Sequence, residues 1–242
     1  MSTTVLLTAA TEDAKEIKEL LQSKNAEPVH MPLERYVPIQ DSTGIEETLN
    51  QLSEFENIIH SNLRNSRYFM RQVDSLGKIE PVRQRLNLTM DEETATFLED
   101  TGVPAVCTYA GGQSINLVEF MLRLRRMGAT LYPCGSHRKE EIPGFLEELD
   151  IPVKELELFD LKGPQDEELG YYKRQLSEKE PDVILFHSRR SVNRTLAAFP
   201  ELDYQNMRII SADKGISKKL SEKNISVDEE GEGSWESMAD KI

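Results

Sequence analysis

Val183-Ile184-Leu185-Phe186-His187-Ser188 is an apolar run ending in a serine, and a helical pattern carrying Val192 and Leu196 follows it. Asn57-Ile58-Ile59-His60-Ser61 is built the same way, ahead of a helical pattern with Arg64, Phe69 and Met70. Short β-branched runs of this kind read as strands buried on both faces, and the spacing of three and four behind them reads as helix. Ser61 and Ser188 are 127 positions apart, and so are Thr8 and Gly135. Val5-Leu6-Leu7-Thr8 opens a strand–helix–strand unit. Its helix has Ala14, Ile17, Leu20 and Leu21 behind a candidate N-cap at Thr11, and its second strand is Pro28-Val29-His30-Met31. Leu131-Tyr132-Pro133-Cys134-Gly135 opens a second such unit, closed by Val153-Lys154-Glu155-Leu156-Glu157-Leu158. Leu86-Asn87-Leu88-Thr89 and Ile209-Ile210-Ser211 lead into helices at a separation of 122. Val103 to Tyr109 and Ile225 to Val227 read as the last strands of the halves, with helices at 113–127 and 233–242 behind them.

The chain is therefore an internal repeat of strands alternating with helices, which calls for parallel sheets covered by helices. Residues 32–44, with Pro32, Pro38 and Gly44, and residues 159–165, with Gly163 and Pro164, interrupt the rhythm at matching places. Taken as linkers, they leave 45–158 as one domain and join 1–31 to 166–242 as the other. The expected architecture is α/β, two three-layer parallel-sheet domains on a hinge, with a ligand in the cleft the hinge opens.

Of the 242 residues, 38% are hydrophobic and 30% charged, enough apolar material for a core and too much for a disordered chain. The net charge of −14 argues against general nucleic-acid binding. No apolar run approaches the roughly 20 residues that span a bilayer. Met1-Ser2-Thr3-Thr4 has no signal-peptide character, so the cytoplasm is the expected address. Cys107 and Cys134 make neither a disulfide framework nor a zinc pattern, and His30, His60, His137 and His187 show no metal spacing. No metal is expected.

Ligands of open parallel sheets bind beyond the carboxyl ends of the strands, which draws attention to the loops after Thr8, Ser61, Thr89, Ala110, Gly135, Ser188 and Ser211. Helix N-termini there attract anions. Ser61 and Ser188 read as helix caps, as ligand contacts, or as both. A Ser-His-acid triad fits poorly, since neighbours on a strand end point to opposite faces. Ala110-Gly111-Gly112-Gln113 lacks a nucleotide-binding pattern. Basic residues gather at three of these loops: Arg64 and Arg67; Arg138 and Lys139; Arg189, Arg190 and Arg194. Guanidinium forks suit carboxylates, so a polyanionic small molecule is the ligand class this pattern fits.

Over nearly its whole length the chain resembles the uroporphyrinogen-III synthases. The resemblance lies in Val5-Leu6-Leu7-Thr8, in Ser61 and Ser188, and in Glu93-Thr94-Ala95-Thr96-Phe97-Leu98. It is strongest at Leu131-Tyr132-Pro133-Cys134-Gly135 with Arg138-Lys139-Glu140-Glu141-Ile142-Pro143. It implies two α/β domains on a two-stranded linker. It also implies a cofactor-free lyase that closes the linear tetrapyrrole hydroxymethylbilane into uroporphyrinogen III, with loss of water and inversion of ring D. Read together with the basic loops, it gives Ser61, Arg64, Thr94, Gly135, Arg138, Ser188 and Arg189 as the expected substrate-binding residues, although the family usually has small residues where Leu63-Arg64 and Arg189-Arg190 stand. It implies a monomer, with hydroxymethylbilane synthase as a hand-off partner and neither nucleic acid nor membrane as one. Four further positions depart from the family pattern: Phe159 replaces a tyrosine, Ile216 a threonine, and Asp91 and Asp213 glycines. Tyr132, Tyr171 and Tyr172 are the alternative proton donors. Two other readings stand beside the synthase: a non-catalytic homologue that binds a tetrapyrrole or another polyanion, and a hinge-bending sugar or amino-acid receptor.

Overall fold

The computed structural model describes residues 2–39, 43–108, 113–136 and 141–242. By internal contacts the chain divides into unit 1, Met1–Tyr36 with Lys162–Ile242, and unit 2, Val37–Leu161.

The first part of unit 1 runs β1 (Thr4–Leu7), α1 (Lys15–Ser23) and β2 (Glu27–His30), followed by β3 (Arg35–Pro38), which leaves the unit. Unit 2 continues with α2 (Thr43–Asn50), β4 (Asn57–His60), α3 (Leu63–Ser75), α4 (Ile79–Arg83) and β5 (Leu86–Thr89). Next come α5 (Glu92–Asp100), β6 (Val106–Cys107), α6 (Ser114–Leu124), β7 (Thr130–Gly135), α7 (Glu141–Glu148) and β8 (Val153–Lys162). The chain then completes unit 1 with α8 (Asp166–Glu178), β9 (Val183–Phe186) and α9 (Arg189–Ala198). It ends with β10 (Arg208–Ser211), α10 (Lys214–Ser221), β11 (Glu229–Glu230) and α11 (Trp235–Ala239).

The sheet of unit 1 has the order β11-β10-β9-β1-β2 and is parallel throughout. The other sheet has the order β6-β5-β4-β7-β8-β3, parallel from β6 to β8. Position for position the two orders are the same, with β1 and β2 standing where β7 and β8 stand. The central strands β1, β4, β7 and β9 are buried at every residue, which is why they read as unbroken apolar runs. Phe186, Ile184 and Ile17 lie in the core of unit 1; Ile59, Leu88 and Met121 lie in a core cluster of unit 2. Asp182 clamps the first strand by accepting from both the Thr4 amide, at 2.7 Å, and the Thr4 hydroxyl, at 2.8 Å.

Pairing register corrects the repeat. Phe186 pairs with Ser211 as His60 pairs with Thr89, so Phe186 is the counterpart of His60, and His187 that of Ser61. The recurring His-Ser pair is one residue out of structural register. The last strand of the second half is Glu229–Glu230, not 225–227. Asn224 turns left-handed (φ 59°) after α10, and the Ile225 amide returns to the Leu220 carbonyl, so that stretch closes the helix. Within the two linker segments the chain is extended: Arg35–Pro38 is a strand, and β8 runs through Phe159 to Lys162. Thr11 does not cap α1; the helix starts after Ala14, whose amide bonds the Ala10 carbonyl in a preceding turn.

Candidate functional site

At the carboxyl edge of unit 1, Ser188 caps α9. Its hydroxyl accepts from the Ser191 amide at 3.0 Å, and the Ser191 hydroxyl accepts from the Ser188 amide at 3.1 Å. A capping box of this kind satisfies two of the orphan donors of the helix. Arg189 and Arg190 follow in the first turn, exposed. The Arg189 guanidinium reaches over the next helix: its Nη2 lies 2.8 Å from where a Cβ on Gly215 would stand. Arg194 instead donates to the Leu33 carbonyl at 2.8 Å and holds the segment after β2. Ser211, Ser217 and Glu230 form a hydrogen-bonded chain with links of 2.6 Å.

In unit 2 the corresponding helix, α3, is capped by Asn62 rather than Ser61. Asn62 Oδ1 accepts from the Asn65 amide at 2.9 Å, while Ser61 Oγ accepts from Asn65 Nδ2 at 2.8 Å. Ser61 therefore supports the turn and does not cap it. Asparagine and serine cap equally well, and sequence could not choose between neighbours. Arg64 is half-buried in the first turn, and Arg67 is exposed with its guanidinium 5.9 Å from the centre of the Phe97 ring.

Asp91 and Asp213, the paired departures, have a common role. Each caps its helix: Asp91 Oδ1 accepts from the Thr94 amide at 2.7 Å, and Asp213 Oδ1 from the Ile216 amide at 2.9 Å. Asp91 Oδ2 also takes the Thr94 hydroxyl at 3.0 Å. Thr94 is fully buried, so its hydroxyl holds the cap and does not reach outward as a ligand contact. A carboxylate already seated on each of these N-termini satisfies the donors and the dipole that an external anion would use.

Gly135 ends β7 opposite Phe159, across a register shift in the β7–β8 pairing. A side chain on Gly135 would collide with the Phe159 ring, so glycine is required there. Phe159 is buried and packs against Tyr68, ring centroids 4.5 Å apart. Arg138, with Lys139 and His137, lies outside the described residues, as does the 109–112 loop. Of the candidate proton donors, Tyr132 and Tyr172 are buried, Tyr172 giving its hydroxyl to Glu168 at 2.8 Å. Tyr171 is exposed on α8 and accepts from Gln175 at 2.8 Å.

His60 is fully buried, with Nε2 3.2 Å from Asn87 Oδ1 and its ring edge-on to Phe69. Burial pushes its imidazole down to about 4, against the smaller opposing effect of the Asn87 contact. It is a core residue, as its apolar counterpart Phe186 explains. His187 stacks on Trp235 at 5.4 Å, and its Nδ1 is shut away from solvent with no hydrogen-bond partner. Burial takes His187 down to about 4 as well, outweighing the nearby Asp13 carboxylate, while Arg190 adds to the lowering. Among the described residues no group of histidine, cysteine and acidic side chains could hold a metal. Sequence reasoning missed Asn62 and also Tyr36, whose hydroxyl donates to Asp13 Oδ2 at 2.9 Å. Tyr36 sits in a segment read only as linker, where no periodicity marks it.

The sequence model of the family described as uroporphyrinogen-III synthase HemD matches residues 15–233. The chain belongs to the uroporphyrinogen-III synthase family. Its function is accordingly that of a synthase in tetrapyrrole biosynthesis, a cyclising, lyase-type enzyme. The fold is shared with solved uroporphyrinogen-III synthases. The Helicobacter pylori enzyme superimposes with a TM-score of 0.68 at 14% identity, covering 100% of this chain and 98% of that one. A mutant of the Thermus thermophilus enzyme gives 0.63, also at 14% identity, over 99% and 97%. No curated protein sequence matches the chain significantly. In this synthase the α/β fold of parallel sheets is the one the sequence implies.

Proposed function

We propose that this chain converts hydroxymethylbilane to uroporphyrinogen III without a cofactor, and that the arginine-bearing loops at the strand ends hold the substrate's carboxylates. The observation that carries this reading is the placing of Arg64 and Arg67 behind β4, and of Arg189 and Arg190 behind β9, in a chain of net charge −14. Both pairs stand in the first turn or two of a helix whose N-terminus favours anions. Ser188 and Ser61 shape those two turns, and Gly135 and Arg138 complete the proposed binding set. Thr94 contributes through the Asp91 cap.

The reaction is intramolecular, so holding the bilane with its ends together removes much of the entropic barrier. Carboxylate clamps fix the position of the chain, and closure then needs one proton given to the departing hydroxyl. The same reading makes the protein a cytoplasmic monomer supplied by hand-off from hydroxymethylbilane synthase.

Replacing Arg189 and Arg190 together by serine tests the placement. Losing charge-assisted contacts worth about 1.5–3 kcal/mol each should raise KM by ~10-fold or more while kcat changes little. An unchanged KM in steady-state assays would remove these two residues from the binding set.

A further inference from the structure

We propose that Tyr36, hydrogen-bonded to Asp13 beside His187 at the carboxyl edge of the unit 1 sheet, donates the proton with which the substrate hydroxyl leaves as water. The assignment rests on the synthase reading and adds to it the group that does the proton transfer.

The chemistry asks for such a group. A carbon–oxygen bond does not readily expel hydroxide, and a proton delivered to the oxygen lets it depart as water. The donor must carry a transferable proton, stand where ligands of a parallel sheet bind, and be held in place. Tyr36 meets these conditions. It follows the β2 strand end, where the Met31 and Leu33 amides bond the Leu7 and Thr8 carbonyls and carry the chain past the edge of β1. Asp13 lies in the loop after β1, and its Oδ2 accepts the Tyr36 hydroxyl at 2.9 Å. Both residues are half-buried, so the phenol is neither sealed in the core nor loose in water.

The third group is His187, just beyond β9. Its ring is fixed on Trp235, and Nδ1 is buried with no partner. A buried polar nitrogen left without a hydrogen bond costs stability, and such costs gather at working sites. Asp13 is close enough to act on its charge, and Arg190 acts on it from α9. Asp13, by accepting the Tyr36 hydroxyl, fixes the position of the phenol. The tyrosines named earlier stand elsewhere. Tyr132 is in the core of unit 2, Tyr172 is in that of unit 1, and Tyr171 faces outward from α8.

The step balances. The carbon–oxygen bond of the ring A hydroxymethyl group breaks toward oxygen, which takes the Tyr36 proton and leaves as water. The pyrrole nitrogen lone pair supplies the electrons for the new double bond to the methylene carbon, and the ring carries the positive charge. The substituted α-carbon of ring D bonds to that methylene and forms a spiro centre; its bond to the methylene shared with ring C then breaks and re-forms at the unsubstituted α-carbon, which inverts ring D. That carbon gives up its hydrogen as a proton as the ring regains aromaticity, and the proton restores the Tyr36 phenol. One water is lost in total, and no oxidant or reductant is needed.

The test is Tyr36→Phe, which removes only the hydroxyl, with kcat, KM and thermal midpoint all measured. The expected result is a fall in kcat of about 100-fold or more, KM within ~3-fold and a midpoint within a few degrees of the parent. Asp13→Asn, which keeps an acceptor oxygen and removes the charge, should lower kcat by ~10-fold at unchanged KM. It decides the matter if Tyr36→Phe does not fold. A kcat of Tyr36→Phe within threefold of an active parent overturns the assignment alone. A loss of kcat that comes with an equal loss of stability and a raised KM assigns Tyr36 a structural role and overturns it too. A parent yielding only the type I isomer overturns the synthase reading, and this assignment with it.

Discussion

Between pH 6.5 and pH 4 the protein should lose about 3 kcal/mol of stability through His60 alone. The imidazole is neutral in the folded protein until the pH approaches 4, because full burial penalises its charged form. In the unfolded chain it takes up a proton near its ordinary value of 6.5. Over the interval between, the unfolded state binds more protons, so stability falls as the pH falls. Above pH 6.5 the contribution is complete. His187 acts in the same direction through the same cause. The counterpart of His60 in the other sheet is Phe186, so His60→Phe places in unit 2 a side chain that the fold already accommodates in unit 1. Urea unfolding at pH 7 and pH 4.5 should show the variant losing much less stability on acidification than the parent. Equal losses would mean that His60 does not titrate as its burial requires.

Phe186→Ala should cost about 3–5 kcal/mol, the range found when a fully buried phenylalanine is truncated. Phe186 is fully buried on β9, the middle strand of the five-stranded sheet, and shares a core cluster with Ile17, Leu21, Val192 and Ile210. Elements on both sides of that strand hold their positions through it, so the cavity cannot collapse cheaply. That cost is a large share of the ~5–15 kcal/mol by which whole domains are stable. The unfolding midpoint in urea should drop accordingly. A change below ~1 kcal/mol would contradict the packing described for the centre of unit 1.

The sheets were legible in the sequence because their middle strands are buried on both faces. Val5-Leu6-Leu7 and Val183-Ile184-Leu185-Phe186 admit no other reading once helical spacing follows them. Strand ends and edges were less legible, for identifiable reasons. Ser61 and Asn62 are both good caps, and only the hydrogen bond from the Asn65 amide to Asn62 Oδ1 shows which one the helix uses. Glu229–Glu230 forms a strand without an apolar residue, because the Asp228 side chain bonds the Ile209 amide at 2.7 Å and starts the pairing with β10. In the candidate site, Ser188 and Arg189 were readable from their place after a strand. The aspartates at 91 and 213 stood out in the sequence only as departures from glycine. Geometry shows them spending their charge on their own helices, and no spacing rule reports that. Tyr36 was invisible because its meaning depends on Asp13, which belongs to a loop on another strand.

The most direct measurement of the central claim is product identity. Incubated with enzymatically made hydroxymethylbilane, and with the products oxidised and separated by chromatography, the protein should give predominantly the type III isomer. Type I alone, the product of closure without ring D inversion, would contradict the assignment of this chain as a working synthase.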